Sequence, residues 1–277
     1  MKTRARFGVT FRVIAVLILL GIVVFPLYWM FVTALTSDEQ LFSGTTQFLP
    51  DFSQIGIFAE ALAQGDVLRW LLNSFIIATG TMAVTLALGI PLAYALSRFS
   101  FGGKVVVGIA LLFTQMLPEA LLVVPLFAIF RETGLLNSIP GLILADSAFV
   151  LPVVALILKG AFDGVPREVD EAARMDGARP GSVLLRILVP LITPSIAAAA
   201  VIAFFTAWNE YVFAVTFIYD KSLQPASVGV AGYIGEQDTS IQTIMAVALI
   251  FTLPAVAFYL FAQKYVIGGM TAGAVKG

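Results

Sequence analysis

The 277-residue chain contains no cysteine and no histidine. Without cysteine there is neither a disulfide framework nor a thiolate metal site. Without histidine the commonest metal ligand and the usual general base near pH 7 are missing. Charge is also scarce. Asp, Glu, Lys and Arg make up 12 % of the residues, against about 25 % in a typical soluble domain. A soluble globule of this size needs a polar skin that so little charge does not supply. The same scarcity excludes disorder, a fibrous repeat and a nucleic-acid module. A G-x-x-x-x-G-K-[ST] phosphate loop is absent too, because Gly102-Gly103-Lys104 does not fit it.

What is present is apolar: 60 % of the residues are hydrophobic, and the mean hydropathy is +0.98. Crossing a bilayer takes about 20 mostly apolar residues. Six segments qualify, at about 13–35, 71–97, 105–130, 138–159, 190–217 and 242–264. The first follows Lys2, Arg4, Arg6 and Arg12 and is longer than the apolar core of a signal peptide. Val32-Thr33-Ala34 loosely resembles a cleavage site, but an uncleaved first span is the better reading. The fourth is interrupted by Asp146. The chain therefore reads as a single all-α membrane domain, 1–277, of six transmembrane helices.

The net charge of -1 hides an asymmetry. With six spans both termini share one side. That side holds Lys2, Arg4, Arg6, Arg12, Arg98, Lys104, Lys159, Arg167, Arg174, Arg179, Arg186, Lys264 and Lys276. The opposite loops hold only Arg69, Arg131 and Lys221, with most of the acids there, Glu236 and Asp238 among them. Thirteen basic residues against three predict cytoplasmic termini. Eight prolines, Pro26, Pro91, Pro118, Pro125, Pro152, Pro190, Pro194 and Pro254, fall in or at the edges of spans and read mainly as helix shaping.

The longest inner loop, about 160–189, carries the strongest local signal. Over Val165–Gly177 a proline suits the first helical position. Glu168, Asp170 and Glu171 complement the helix dipole. Arg174 stands three and four residues beyond Glu171 and Asp170, at pairing distance. Gly177 is placed as a left-handed cap. The spacing predicts a helix of about three turns with Val169, Ala172 and Ala173 on its apolar face. Such a short helix needs a partner surface. A following helix at 178–188 and a separate protein are equally good candidates.

This loop resembles the EAA motif of bacterial ABC importer permeases. The pattern is Glu-Ala-Ala, three residues, Gly, nine residues, Ile, one residue, then Leu-Pro. The chain has Glu171-Ala172-Ala173, Gly177, Ile187 and Val189-Pro190, with Val189 in place of the usual Leu. The loop also lies between the fourth and fifth of the six segments, where the family carries it. Asp176-Gly177-Ala178, Ala207-Trp208-Asn209-Glu210 and the tail Gly268–Gly277 are similar to the carbohydrate-uptake branch. The chain as a whole resembles the smaller, six-span permease of maltose-type importers.

The resemblance implies a type I ABC importer permease fold in the bacterial inner membrane. It implies three kinds of partner besides the bilayer: a second homologous permease, two copies of a cytoplasmic ABC ATPase, and an extracytoplasmic sugar-binding protein, with no nucleic acid. It implies no enzyme activity and no cofactor in this chain, since ATP and magnesium belong to the ATPase. Glu168, Glu171, Ala172, Ala173, Asp176, Gly177, Ile187 and Pro190 would couple to the ATPase. Thr271, Gly273 and Lys276 of the tail 265–277 would also reach it. A permease for a glycerophosphodiester or polyol is the alternative, and an ion-coupled secondary transporter a more distant one, since no inverted repeat is visible.

Charge inside a span is expensive and belongs in the bundle interior or beside water. Glu119, Asp146 and Glu210 are such residues. Internal hydrogen bonding accounts for them as well as a solute path does, with Glu119 the better path candidate. Trp29, Trp70, Trp208, Tyr211, Tyr219 and Tyr265 read as interfacial belts. Trp208 is the exception. Together with Asn209 it offers an aromatic face and an amide to a sugar.

Overall fold

The computed structural model describes residues 2–44, 46–63, 66–235 and 239–274, with side chains described over 12–44, 46–63, 66–233 and 239–263. Of the positions singled out above, Glu236, Asp238 and Lys276 lie outside the described residues. Lys2, Arg4, Arg6, Lys264, Tyr265, Thr271 and Gly273 are described in backbone alone. The described secondary structure is entirely helical. In chain order the main helices are α1 (Lys2–Ala34), α2 (Val67–Arg98), α3 (Lys104–Thr114), α4 (Glu119–Thr133), α5 (Ile139–Asp163) and α6 (Arg167–Met175). They continue with α7 (Pro180–Leu191), α8 (Thr193–Trp208), α9 (Val212–Phe217), α10 (Ala226–Gly235) and α11 (Ile241–Ala274).

Four helices are long and apolar enough to cross a membrane by themselves: α1, α2, α5 and α11. The third and fifth segments are broken, not continuous as their hydropathy suggests. α3 and α4 meet at 106°, and α7 and α8 at 84°. The chain thus has four to six candidate spans. Proline explains both breaks. Pro118 caps α4 from an extended conformation, and the residue before a proline avoids the helical region. Pro194 stands in the first turn of α8, directly after the non-helical Ile192. Proline fits a first turn because its missing N–H would have no partner there. By contrast Pro26, Pro91, Pro125, Pro152 and Pro254 sit inside continuous helices. The last helix continues to Ala274, so it runs well past the expected span end near 264.

The chain divides into two compact units. The first comprises 1–67 and 230–253. Within it, Val16, Leu19, Ile22 and Val23 of α1 are each more than 60 % exposed. A run of bare aliphatic side chains is a surface for lipid or another subunit. After α1 the chain makes short helical turns at Asp38–Leu41 and Ile57–Ala63. Ser37 and Gln40 close a capping box on the first of these. Phe31 packs between Phe52 and Phe58, with ring centroids 6.4 and 6.0 Å away.

The second unit comprises 68–229 and 254–277. Its centre is the contact of α2, α5 and α8. Small residues let these helices approach closely. A Cβ at Gly89 of α2 would stand 3.1 Å from Val154 of α5. One apolar cluster joins Ala93 and Tyr94 of α2, Leu158 and Phe162 of α5, and Ala203 of α8. The same cluster takes in Ala173 of α6 and Leu188 of α7. A second joins Phe130 of α4, Leu142 of α5 and Phe213 and Phe217 of α9.

Candidate functional site

The short helix α6 forms where the sequence predicts it. Pro166 is its N-cap rather than its first residue. At the other end Gly177 adopts φ +82°. Its N–H donates to Arg174 O at 3.0 Å, and the N–H of Ala178 donates to Ala173 O at 3.0 Å. These two bonds make a Schellman motif, which reverses the chain into α7.

Two opposite faces divide α6. Asp170 and Ala173 are buried and Val169 is half-buried, with Val169 and Ala173 packed on the apolar cluster of α2, α5 and α7. Glu168, Glu171, Ala172 and Met175 are exposed, Met175 to 85 %. Their spacing of i, i+3, i+4 and i+7 puts all four on one stripe. The apolar face expected from the sequence is therefore split. Val169 and Ala173 find their partner within the chain, whereas Ala172 joins the outward stripe. Asp176 and Gly177 are exposed beside it, as is Pro190, while Ile187 is half-buried. Ile187 lies in a stretch, Val183–Leu188, that widens to π-helical hydrogen bonding.

Asp170 is the residue that sequence reasoning misjudged. It was expected on the surface, within reach of Arg174. Instead its Oδ2 stands 3.0 Å from Nε of Arg98, with the two side chains 6 % and 4 % exposed. The Arg98 Nη2 also donates to Val165 O at 2.8 Å. One guanidinium at the end of α2 thus holds both the helix α6 and the turn leading into it. A second polar tie lies alongside. Ser97 Oγ donates to Asp163 Oδ1 at 2.6 Å, and Lys159 pairs with Asp163 Oδ2 at 2.6 Å. The ends of α2 and α5 and the start of α6 are therefore one polar cluster. A signal existed: Arg98 is the lone basic residue in the last turn of a long apolar helix.

The intramembrane acids are also brought together. Glu119, Asp146 and Glu210 line one small cavity of about 10 Å³, with Phe149, Thr206 and Phe213. Glu119 opens α4 at the break in the third segment. Glu210 stands at the break between α8 and α9. Its Oε1 accepts from the N–H of Phe213 at 2.6 Å and its Oε2 from that of Ala214 at 3.0 Å. Ser227 Oγ donates to the Glu210 carbonyl at 2.6 Å. Internal hydrogen bonding thus accounts for Glu210. Asp146 is 2 % exposed, and neither of its carboxylate oxygens meets a hydrogen-bond partner. Trp208 is buried at 2 % exposure, so it belongs to no interfacial belt. It stacks on Phe204 with centroids 5.6 Å apart. Asn209 is exposed and donates to Phe205 O at 2.8 Å. Among the described residues no group of His, Cys, Asp and Glu is arranged to hold a metal.

The short helix is thus held by a polar tie to a bundle that contains two bent helix pairs. Residues 53–271 match the family described as binding-protein-dependent transport system inner membrane component. The chain belongs to this family. It is 35 % identical to the trehalose transport system permease protein of Mycobacterium tuberculosis, over 94 % of this chain and 95 % of that one. It is 31 % identical to the trehalose/maltose transport system permease protein of Thermococcus litoralis, over 96 % of each chain. The fold is shared with a bacterial ABC transporter involved in import of the acidic polysaccharide alginate. That match has a TM-score of 0.81 at 21 % identity and covers 96 % of this chain and 98 % of the other. The protein is thus a permease component of a binding-protein-dependent ABC importer, with sugar-transport relatives that are transport components rather than enzymes.

Proposed function

We propose that this chain is one permease subunit of an ATP-driven sugar importer, spanning the inner membrane six times with both termini in the cytoplasm. The four long helices supply four spans and the two bent pairs the other two. The thirteen-to-three distribution of basic residues supports the orientation. A second permease completes the path, two copies of a cytoplasmic ATPase bind below, and an external binding protein delivers the sugar. Nucleotide and magnesium stay on the ATPase.

The observation that carries this reading is the two-faced helix α6. Its outward stripe of Glu168, Glu171, Ala172 and Met175 has no cover among the described residues, while its inner face is fixed to α2 and α5. Motion applied at the stripe is therefore delivered to the spans. Asp176, Gly177, Ile187 and Pro190 shape the turn that follows, and Thr271, Gly273 and Lys276 provide a second contact with the ATPase. The cavity at Glu119 and Glu210, with Trp208 and Asn209 beside it, lines or gates the path. A sugar is the favoured cargo because relatives are named for trehalose, maltose and diacetylchitobiose.

The test is a cysteine at Ala172, in a chain that has none of its own. A short bifunctional crosslinker applied to native membranes should join it to an ATPase subunit, identified by mass spectrometry. A cysteine at buried Ala173 should give no such product. Absence of an ATPase adduct from Ala172→Cys, in membranes that take up sugar, would sink the coupling role of α6.

A further inference from the structure

We propose that the groove between α3 and α5 is a binding site for an anionic phospholipid. The groove has a volume of about 390 Å³ and is lined by Lys104, Val105, Gly108, Ile109, Lys159 and Gly160, among others. Its floor is apolar, and two glycines keep it open. A Cβ at Gly108 or at Gly160 would meet nothing within 4 Å. Val105 and Ile109 of α3 are 72 % and 60 % exposed along its wall. The trough therefore has the width and chemistry for an acyl chain.

One end of the groove carries two lysines and one carboxylate, Lys104, Lys159 and Asp163, a net positive charge. Lys104 begins α3, and Lys159 stands one turn before the end of α5. The Lys104 ammonium makes one bond, to Phe99 O at 3.1 Å. Lys159 is paired with Asp163, whose other oxygen is taken by Ser97. An ammonium carries three donors, so each lysine keeps donors for a further acceptor. The start of α3 adds to them. Its N-cap is Gly103, and no side chain caps it. First-turn N–H groups without a cap favour an anion. A phosphate at this end and an acyl chain along the trough satisfy both halves of the groove, as basic pockets between spans on the cytoplasmic side do for anionic headgroups. The side is the one assigned by the orientation in the previous subsection, on which this inference rests.

The test uses the assembled complex, purified in mild detergent and reconstituted in phosphatidylcholine nanodiscs with and without phosphatidylglycerol. Lipid retained after detergent washing is counted per permease by mass spectrometry. The wild type should hold phosphatidylglycerol in preference to phosphatidylcholine. Lys104→Gln should lower that retention about fivefold, the loss of one lysine contact at a membrane surface. Gly108→Leu should abolish it by filling open space. Labelling Val105→Cys with a bulky maleimide after purification fills the same trough without passing through folding, and should have the same effect. Equal retention of the two lipids by the wild type would overturn the site. So would unchanged retention in the filled variants, or crosslinking of Val105→Cys to the second permease. ATPase co-purification is scored separately. Its loss would refute the assembly and leave lipid retention readable on this chain.

Discussion

Asp170→Asn is the substitution with the largest expected local effect. It keeps the shape of the side chain and removes its charge, leaving the Arg98 guanidinium buried and uncompensated. Both side chains are less than a tenth exposed. Breaking such a pair by removing one partner costs about 3–5 kcal/mol. The apolar anchor of α6 is weaker. Val169 is half-buried and Ala173 is small, so together they contribute about 2 kcal/mol. A nine-residue helix has little stability of its own. The loss therefore exceeds what else holds α6, and the helix should detach while the bundle stays folded. At 1.36 kcal/mol per tenfold, amide exchange across 165–177 should accelerate by about a hundred- to several-thousand-fold. Hydrogen–deuterium exchange with mass spectrometry on the purified complex reads this directly, with α5 peptides as the internal control. The double variant Arg98→Met with Asp170→Leu should recover most of the protection, because no charge is left buried. Exchange in Asp170→Asn within about threefold of wild type would refute the argument that the ion pair is the main tether.

Other consequences are smaller. Gly177→Ala places a side chain at φ +82° and should cost about 1 kcal/mol, visible as a lower thermal midpoint, with Gly177→Asn milder. Gly229→Ala would drive a Cβ into the Trp70 ring and should destabilise by about 1–3 kcal/mol, measured as the temperature of detergent-induced aggregation. Glu210→Ala removes two backbone caps from α9 and should cost about 1–2 kcal/mol. Glu210→Gln keeps one acceptor and should cost less in the same assay. Met175→Asp, on the exposed stripe of α6, should leave the thermal midpoint unchanged and reduce ATPase co-purification.

The parts legible in the sequence were those governed by local rules. Carboxylates in the first turn, a glycine beyond the last and helical spacing between them put α6 where it lies. Long apolar runs located α1, α2, α5 and α11. The bends in the third and fifth segments were not legible, because hydropathy is an average over a window and does not register a bend. Leu117-Pro118 and the pair Pro190 and Pro194 carried the information, but proline tolerated inside α2 or α5 looks the same in sequence as proline that breaks α3 from α4. The Arg98–Asp170 pair was harder to read for another reason, although Arg98 stood out at the end of α2. Its members are 72 residues apart, and a nearer cation, Arg174, satisfied the helical spacing rule.

The breaks and the buried acids together have an electrostatic consequence. Each break ends one helix and starts another, and the first-turn N–H groups of the new helix carry a partial positive charge. Glu119 stands in the first turn of α4, and Glu210 accepts the opening N–H groups of α9. Both carboxylates face the same cavity. Each negative side chain opposes a positive helix end, so part of its charge is offset by the chain's own backbone. Asp146 lines the same cavity with no hydrogen-bond partner for either oxygen, so the compensation reaches two of the three carboxylates.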